Sequence, residues 1–248
     1  MLCHKAFRAV FGDSQISIVF IWSMRLLVTL LNAMPLYVMN TEMNEWVDDH
    51  MDRLLIKIVF NSLVFMTLIS YFKASFTRPR VIPQLAPSEA EMHNVCVTCK
   101  NWKPLRTHHC SICQVCVPKM DHHCPWLGNC VGYHNFKAFF LFCFYQALTG
   151  LWYCKRMIMF AFYSPDNTPD LSITGQICYD FTNFFGLLIS FALIPLTCRI
   201  MVQLYNNITT LEMLKNKQMR YPCWTKTRSG GEELPPNEYD MFWLNNLK

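Results

Sequence analysis

The chain has 248 residues, which suits one membrane bundle with one small module. Hydrophobic residues make up 52%, aromatics 15% and charged residues only 16%, a balance that argues against an ordinary soluble domain. The net charge of +5 is modest and gives no reason to expect a nucleic-acid partner; where the charges fall says more than their sum.

In chain order, residues 1–13 form a short tail carrying Lys5 and Arg8. Residues 14–39 are apolar apart from Arg25 and a few polar positions, and a helix needs about 20 such residues to cross a bilayer. This run is too long for a signal-peptide core, and no small-residue cleavage site follows it. Leu2 stands where N-myristoylation would need glycine. Arg25 is unusual at that depth; a charge there is either functional or paired, or it snorkels to the surface. Pro35 is placed to kink the far end. Residues 40–52 carry five acids and no Lys or Arg. A second apolar run spans 53–76, with Arg53, Lys57 and Lys73 toward its ends. Arg78 and Arg80 then open a linker punctuated by Pro79, Pro83 and Pro87, which favours extended backbone.

Residues 96–136 concentrate the metal-binding residue types. Seven of thirteen cysteines lie here: Cys96, Cys99, Cys110, Cys113, Cys116, Cys124 and Cys130. So do five of eight histidines: His108, His109, His122, His123 and His134. Two C-x2-C pairs give the spacing at which a tight turn aims two sulfurs at one ion, and structural zinc takes four tetrahedral ligands. A segment this polar buries too little apolar area to fold alone, so metal supplies the missing stability. A disulfide framework is the weaker reading, because C-x2-C pairs interleaved with histidines mark metal sites. Clustered thiols of this kind also fit a reducing cytosol. Two ions need eight ligands and twelve candidates are present, so some must have other work.

A third apolar run covers 137–163, interrupted late by Lys155 and Arg156. Residues 164–175 form a short loop with Asp166 and Asp170. A fourth run covers 176–203, with Pro195 and Arg199 near its second end, and the tail 204–248 begins basic. The tails and the segment 77–136 hold nearly all the flanking Lys and Arg, while both intervening loops are acidic. The positive-inside rule then places both termini and the cysteine-rich module in the cytosol, with 40–52 and 164–175 lumenal. The expected architecture is an all-α membrane protein of four transmembrane helices, with a cytosolic double-zinc module between helices 2 and 3. On this map the sequon-like Asn207-Ile208-Thr209 faces the cytosol and stays unglycosylated.

Within the module, Asp121, His122 and Cys124 stand close together. A free thiol is mostly protonated near neutral pH. An imidazole can take its proton and a carboxylate can orient the imidazole, which makes a thiolate nucleophile. The competing reading makes Cys124 and His122 plain zinc ligands.

The string Asp121-His122-His123-Cys124 resembles the DHHC family of membrane protein S-acyltransferases (palmitoyltransferases). The frame around it is similar in order and spacing: Cys96, Cys99, His109-Cys110, Cys113, Cys116, then the tetrapeptide, Pro125-Trp126, Cys130 and Asn135. The resemblance implies that one zinc takes Cys96, Cys99, His109 and Cys116, and the other Cys110, Cys113, His123 and Cys130. Those eight complete two sites and leave Cys124 and His122 for chemistry. It further implies a protein S-acyltransferase moving a long-chain acyl group from acyl-CoA to protein cysteines by a ping-pong acyl-enzyme mechanism. Cys124 would be the nucleophile, His122 its base and Asp121 the orienting carboxylate. Lys103, Arg106 and His108 are candidates to meet the CoA phosphates; a basic patch beside acidic lipid headgroups is the competing use. Trp126 suits the membrane interface. Thr209-Thr210-Leu211-Glu212 resembles the family's T-T-x-E segment, which would put Thr209 beside Asp121. Asn237 to Asp240 and Asn246 faintly resemble a C-terminal aromatic-and-asparagine segment, which in the family runs on beyond the position of Lys248. Arg78-Pro79-Arg80 departs from the Asp-Pro-Gly that the family often has.

The implied partners are membrane-associated proteins with cytosolic cysteines, acyl-CoA and the bilayer, in the Golgi or endoplasmic reticulum. Rival readings are a zinc-binding membrane adaptor or scaffold without catalysis, and a channel with a zinc-bearing loop. The adaptor reading lacks the further C-x2-C pair that a RING-type module needs after Cys130.

Overall fold

A computed structural model describes residues 14–42, 50–78, 95–101, 103, 104, 106–163 and 172–218. The linker prolines, most of both acidic loops, the N-terminal tail and the C-terminal stretch 219–248 lie outside these residues. So does the stretch that resembles the aromatic-and-asparagine segment.

Four long helices coincide with the four apolar runs: α1 Ser14–Tyr37, α2 His50–Phe76, α3 Phe136–Tyr163 and α4 Ile173–Tyr205. A π-helical turn, Val38–Glu42, continues α1 just beyond Pro35. Among the described residues three helices are long and apolar enough to cross a membrane, over Ile18–Thr41, Leu54–Phe76 and Ile173–Tyr205. The apolar part of α3, Phe136–Trp152, is shorter. The chain is therefore a membrane protein, and apolar side chains such as Trp22, Phe65 and Phe191 lie exposed on its helices.

Backbone groups in lipid must be satisfied internally, and polar side chains in these helices do the same. Thr29, Asn32, Thr67, Thr149, Ser190 and Thr197 each donate to the carbonyl four residues back. Helix α2 packs chiefly on α3, and α3 on α4, while α1 leans on α4. At Gly150 the approach is so close that an added Cβ would collide with the Ser190 hydroxyl, the small-residue contact by which membrane helices come together.

The module corrects the all-α expectation. It contains two antiparallel hairpins of three-residue strands: β1 His108–Cys110 with β2 Val115–Val117, and β3 His122–Cys124 with β4 Asn129–Val131. Strands this short bury little, so the side chains between them, not the ladder, must hold the shape. The stretch expected as plain tail also carries a short helix, α5 Thr210–Gln218.

The second hairpin is bolted onto the helices. The last carbonyls of a helix have no partner within it. Here Asn129 Nδ2 donates to the carbonyls of Ala74 (3.2 Å), Ser75 (3.3 Å) and Thr77 (2.8 Å), and Asn135 Nδ2 donates to Ala74 (3.0 Å). Two asparagine amides thus cap α2 and seat the hairpin at once. Ser75 Oγ and Tyr71 Oη donate to the Leu127 and Trp126 carbonyls at 2.6 and 2.8 Å. Arg25 is paired: its Nε donates to Ser75 Oγ at 2.9 Å, and its guanidinium lies against the Trp22 and Phe76 rings. At Gly128, with φ +60°, an added Cβ would strike Ile21 of α1, so α1 meets the turn of this hairpin directly.

A candidate acyl-transfer site framed by two metal clusters

Cys96, Cys99, His109 and Cys116 form one group of donors, and Cys110, Cys113, His123 and Cys130 form another. Within each, the donor atoms lie within 4.8 Å of one another. A tetrahedral zinc with ordinary bond lengths sets its donors about 3.5–3.8 Å apart. The separations fit: Cys99–His109 3.2 Å, Cys116–Cys99 3.6 Å, Cys116–His109 3.9 Å, Cys113–His123 3.3 Å, Cys130–Cys113 3.4 Å and Cys130–His123 3.5 Å. This is the same division into two ligand sets that the resemblance implies.

The local turns explain why each pair points inward. Each C-x2-C closes on itself: Lys100 N donates to the Cys96 carbonyl at 2.9 Å and Gln114 N to the Cys110 carbonyl at 2.8 Å. Lys100 and Gln114 sit at left-handed φ of 54° and 58°. The second cysteine's N–H then donates to the first one's sulfur, at 3.4 Å in both turns. The chemistry of the donor set also calls for a cation. Burial and the neighbouring thiols Cys96 and Cys99 push Cys116 up to about 12. Hydrogen bonding to Cys110, with Cys130 acting the other way, leaves Cys113 at about 11. In the same groups hydrogen bonds from their neighbours hold Cys96 and Cys110 below the ordinary thiol range, so each set keeps a proton on some sulfurs until a dication replaces it.

Cys124 belongs to neither group. It is 6% exposed and packs in an apolar cluster with Tyr71, Leu127, Val131 and Phe139. His122 stands two residues before it on β3, and the Cys124 thiol acts electrostatically on the imidazole and favours its protonated form. On its other side His122 Nδ1 meets Asp121 Oδ2 at 2.8 Å, and its ring stands edge-on to Phe139 at 5.3 Å. Asp121 is 2% exposed, yet well satisfied. Burial pushes its pKa up, but hydrogen bonds from His122 and Thr210 outweigh burial and hold it below the ordinary carboxylate range. With Asp121 ionised, Nδ1 must be the donor, which leaves Nε2 as the imidazole nitrogen for Cys124. Burial lowers the His122 pKa, but Asp121 and Cys124 more than reverse this and raise it to about 9.

Two expected placements change. Thr209 does not bond Asp121; its neighbour does. Thr210 N donates to Asp121 Oδ1 at 2.6 Å and Thr210 Oγ1 to Oδ2 at 2.9 Å. Thr209 instead caps α5: its Oγ1 accepts from Glu212 N at 3.3 Å and its N–H donates to Glu212 Oε2 at 2.8 Å, a reciprocal capping box. That cap forces the alternation, because Thr209 must aim its side chain along the helix while Thr210 faces the module. Arg106, expected near CoA phosphate, is committed to Glu212 through Nε (2.6 Å) and Nη2 (2.8 Å), and donates to the Asn207 carbonyl at 2.7 Å. This fork-to-fork pair pins α5 to the approach to β1. Lys119 completes the join, donating to Asn207 Oδ1 at 2.7 Å. Lys103 lies just ahead of β1, His108 opens β1, and Trp126 stands 56% exposed in the turn of the second hairpin.

Gln203 of α4 was not legible as a site residue, although its Nε2 reaches Asp121 Oδ1 at 3.2 Å. A buried glutamine near the end of an apolar helix was the signal available.

The match to the DHHC palmitoyltransferase family covers residues 89–217. The chain belongs to the DHHC palmitoyltransferase family. Among relatives, "Probable protein S-acyltransferase 13" of Arabidopsis thaliana is 30% identical over 222 residues, 79% of this chain and 73% of that protein. "Probable protein S-acyltransferase 14" of the same plant is 37% identical over 199 residues, covering 68% of this chain and 64% of the relative. Human "Palmitoyltransferase ZDHHC3" is 40% identical over 118 residues, 43% of this chain and 38% of that protein. As a member of this family the chain is a protein S-acyltransferase enzyme.

Proposed function

We propose that the chain crosses the membrane four times, α3 being the third span, with both termini and the zinc module cytosolic, and that Cys124 carries a long-chain acyl group from acyl-CoA to cysteines of membrane-associated proteins. The observation that carries this reading is the isolation of Cys124: two complete four-donor groups stand around it, and it is in neither, while Asp121 and His122 line up behind it. When bound, a zinc ion in each group cross-links segments distant in sequence and stiffens the catalytic turn, since His123 lies between base and nucleophile.

His122 Nε2 accepts the Cys124 proton, and Asp121 Oδ2 stabilises the imidazolium through Nδ1. The thiolate attacks the acyl carbonyl carbon, a C–S bond forms, the acyl–sulfur bond to CoA breaks, and the CoA thiolate takes the proton back from His122 and departs as the thiol. A substrate cysteine then loses its proton to the same imidazole and attacks the acyl-enzyme, and Cys124 leaves as the thiolate. Both steps exchange one thioester for another, so neither is strongly uphill.

The membrane position follows from the acyl tail. A palmitoyl chain has about 15 carbons past the carbonyl, each contributing about 0.8 kcal/mol when buried. The second hairpin is seated on α2 and α1 by Asn129, Ser75, Tyr71 and Arg25, which supports a carbonyl delivered to Cys124 from among the helices. Trp126 fits the interface there. Lys103 and His108 remain the candidates for CoA phosphate, with Arg106 held by Glu212. Golgi or endoplasmic reticulum is the residence proposed. No observation favours the adaptor without catalysis.

The test is incubation of purified chain with labelled palmitoyl-CoA. The native chain forms a hydroxylamine-sensitive adduct and Cys124→Ser forms none; equal labelling of the variant would remove Cys124 from the mechanism.

A further inference from the structure

Asp121 accepts four hydrogen bonds. Oδ1 receives Thr210 N–H at 2.6 Å and Gln203 Nε2 at 3.2 Å; Oδ2 receives the Thr210 hydroxyl at 2.9 Å and His122 Nδ1 at 2.8 Å. An ionised carboxylate offers about four acceptor sites, so all are filled. The Thr210 hydroxyl has one hydrogen, and it goes to Oδ2. Its 2.8 Å contact with Gln203 Nε2 is therefore one in which the amide donates. Both hydrogens of the Gln203 amide nitrogen are thus assigned, one to the carboxylate and one to the threonine. The flipped amide would set a carbonyl oxygen against an anion. Gln203 is 3% exposed, so water does not stand in for either partner. Thr210 and His122 hold the carboxylate from the short helix α5 and the zinc module; among the described residues Gln203 alone ties it to α4.

We propose that Gln203 is a positioning residue, its amide bridging Asp121 and Thr210 so that the carboxylate stays turned toward His122. The proposal rests on the reading of Asp121, His122 and Cys124 as the acyl-transfer group. Gln203 touches no substrate atom. Without it the carboxylate keeps the Thr210 N–H on Oδ1 and the Thr210 hydroxyl and His122 Nδ1 on Oδ2, but loses its tie to α4 and the amide that orients the Thr210 hydroxyl toward it. A buried hydrogen bond to a charged group of this kind corresponds to about a tenfold change or more in the rate of a step that depends on it.

The experiment uses the full chain in detergent micelles, with Gln203→Met, which keeps the volume and removes both donors, and Gln203→Glu, which keeps the shape and faces carboxylate with carboxylate. Zinc per chain, the rate constant of adduct formation and the half-saturating palmitoyl-CoA concentration are measured together. Gln203→Met slows adduct formation about tenfold and Gln203→Glu about a hundredfold, with the half-saturating concentration within about twofold of native and both ions retained. Native rates in Gln203→Met with full zinc would overturn the proposal. So would a loss that merely tracks missing zinc, or one confined to the half-saturating concentration. If Gln203→Glu fails to hold zinc, Gln203→Met decides alone. An unmodified chain that forms no Cys124 adduct overturns the catalytic reading as well, and is thereby told apart from variants that keep the native rate.

Discussion

In the first hairpin Thr107 leads into His108-His109-Cys110; in the second Asp121 leads into His122-His123-Cys124. The pairing is the same in both: His108 faces Val117 as His122 faces Val131, and His109 faces Cys116 as His123 faces Cys130. In both, the second histidine joins the opposing cysteine in a metal group. The cysteines that end the two strands then part company. Cys110 has Cys113 three residues on, closes a tight turn with it, and enters a donor set. Cys124 has Leu127 at that place, fully buried in the apolar cluster with Tyr71 of α2, Phe139 of α3 and Ile200 of α4, and enters none. The residue ahead differs as well. Among the described residues Thr107 Oγ1 is buried with no hydrogen-bond partner, whereas Asp121 holds four. Whether this strand presents a ligand or a nucleophile is decided by its flanks: a thiol three residues later, or an anchored carboxylate one residue before the first histidine.

The largest effect that would sharpen this contrast is Cys110→Ser. One four-donor set loses a thiolate, and structural zinc sites supply about 10 kcal/mol or more of folding energy. Zinc per chain should fall from two to about one, with acylation lost alongside; a variant holding two ions with native activity would break the comparison. Asp121→Asn should keep both ions yet slow adduct formation by about a hundredfold or more. It should also move the His122 titration, read from labelled histidine by NMR, from about 9 toward the ordinary value near 6.5. The sign for stability follows: His122 has a raised pKa in the folded chain, so its contribution is fully present below about 6.5 and is lost as pH rises through about 9. An unmoved midpoint would detach His122 from Asp121. Arg106→Met comes next. Breaking its fork with the half-buried Glu212 should lower the melting temperature by about several degrees without changing the half-saturating palmitoyl-CoA. The reverse pattern would return Arg106 to the CoA phosphates. Thr107→Val should be the mildest, within about 1 kcal/mol of native, because it removes a hydroxyl with no partner among the described residues. A loss as deep as that of Asp121→Asn would erase the difference between the two leading residues.

Much of this was legible in the sequence because it is local. Apolar runs mark where helices lie, since a bilayer asks only for length and hydropathy. C-x2-C pairs mark metal turns because the turn needs only four residues. Which donors share an ion was not legible from spacing, because each group interleaves segments that the chain visits in turn. The hairpins were missed since three-residue strands carry too little alternation to read. Arg106 with Glu212 and Gln203 with Asp121 lie far apart in sequence, and nothing local to either residue names its partner. Thr209 and Thr210 are adjacent and chemically alike; only the capping box with Glu212 says which faces the helix and which faces Asp121.

The most direct measurement is native mass spectrometry of the intact chain and of Cys124→Ala, before and after exposure to palmitoyl-CoA. The account predicts two zinc ions in both chains and one added acyl group in the native chain alone. A Cys124→Ala chain that arrives one ion short would make Cys124 a ligand and contradict it.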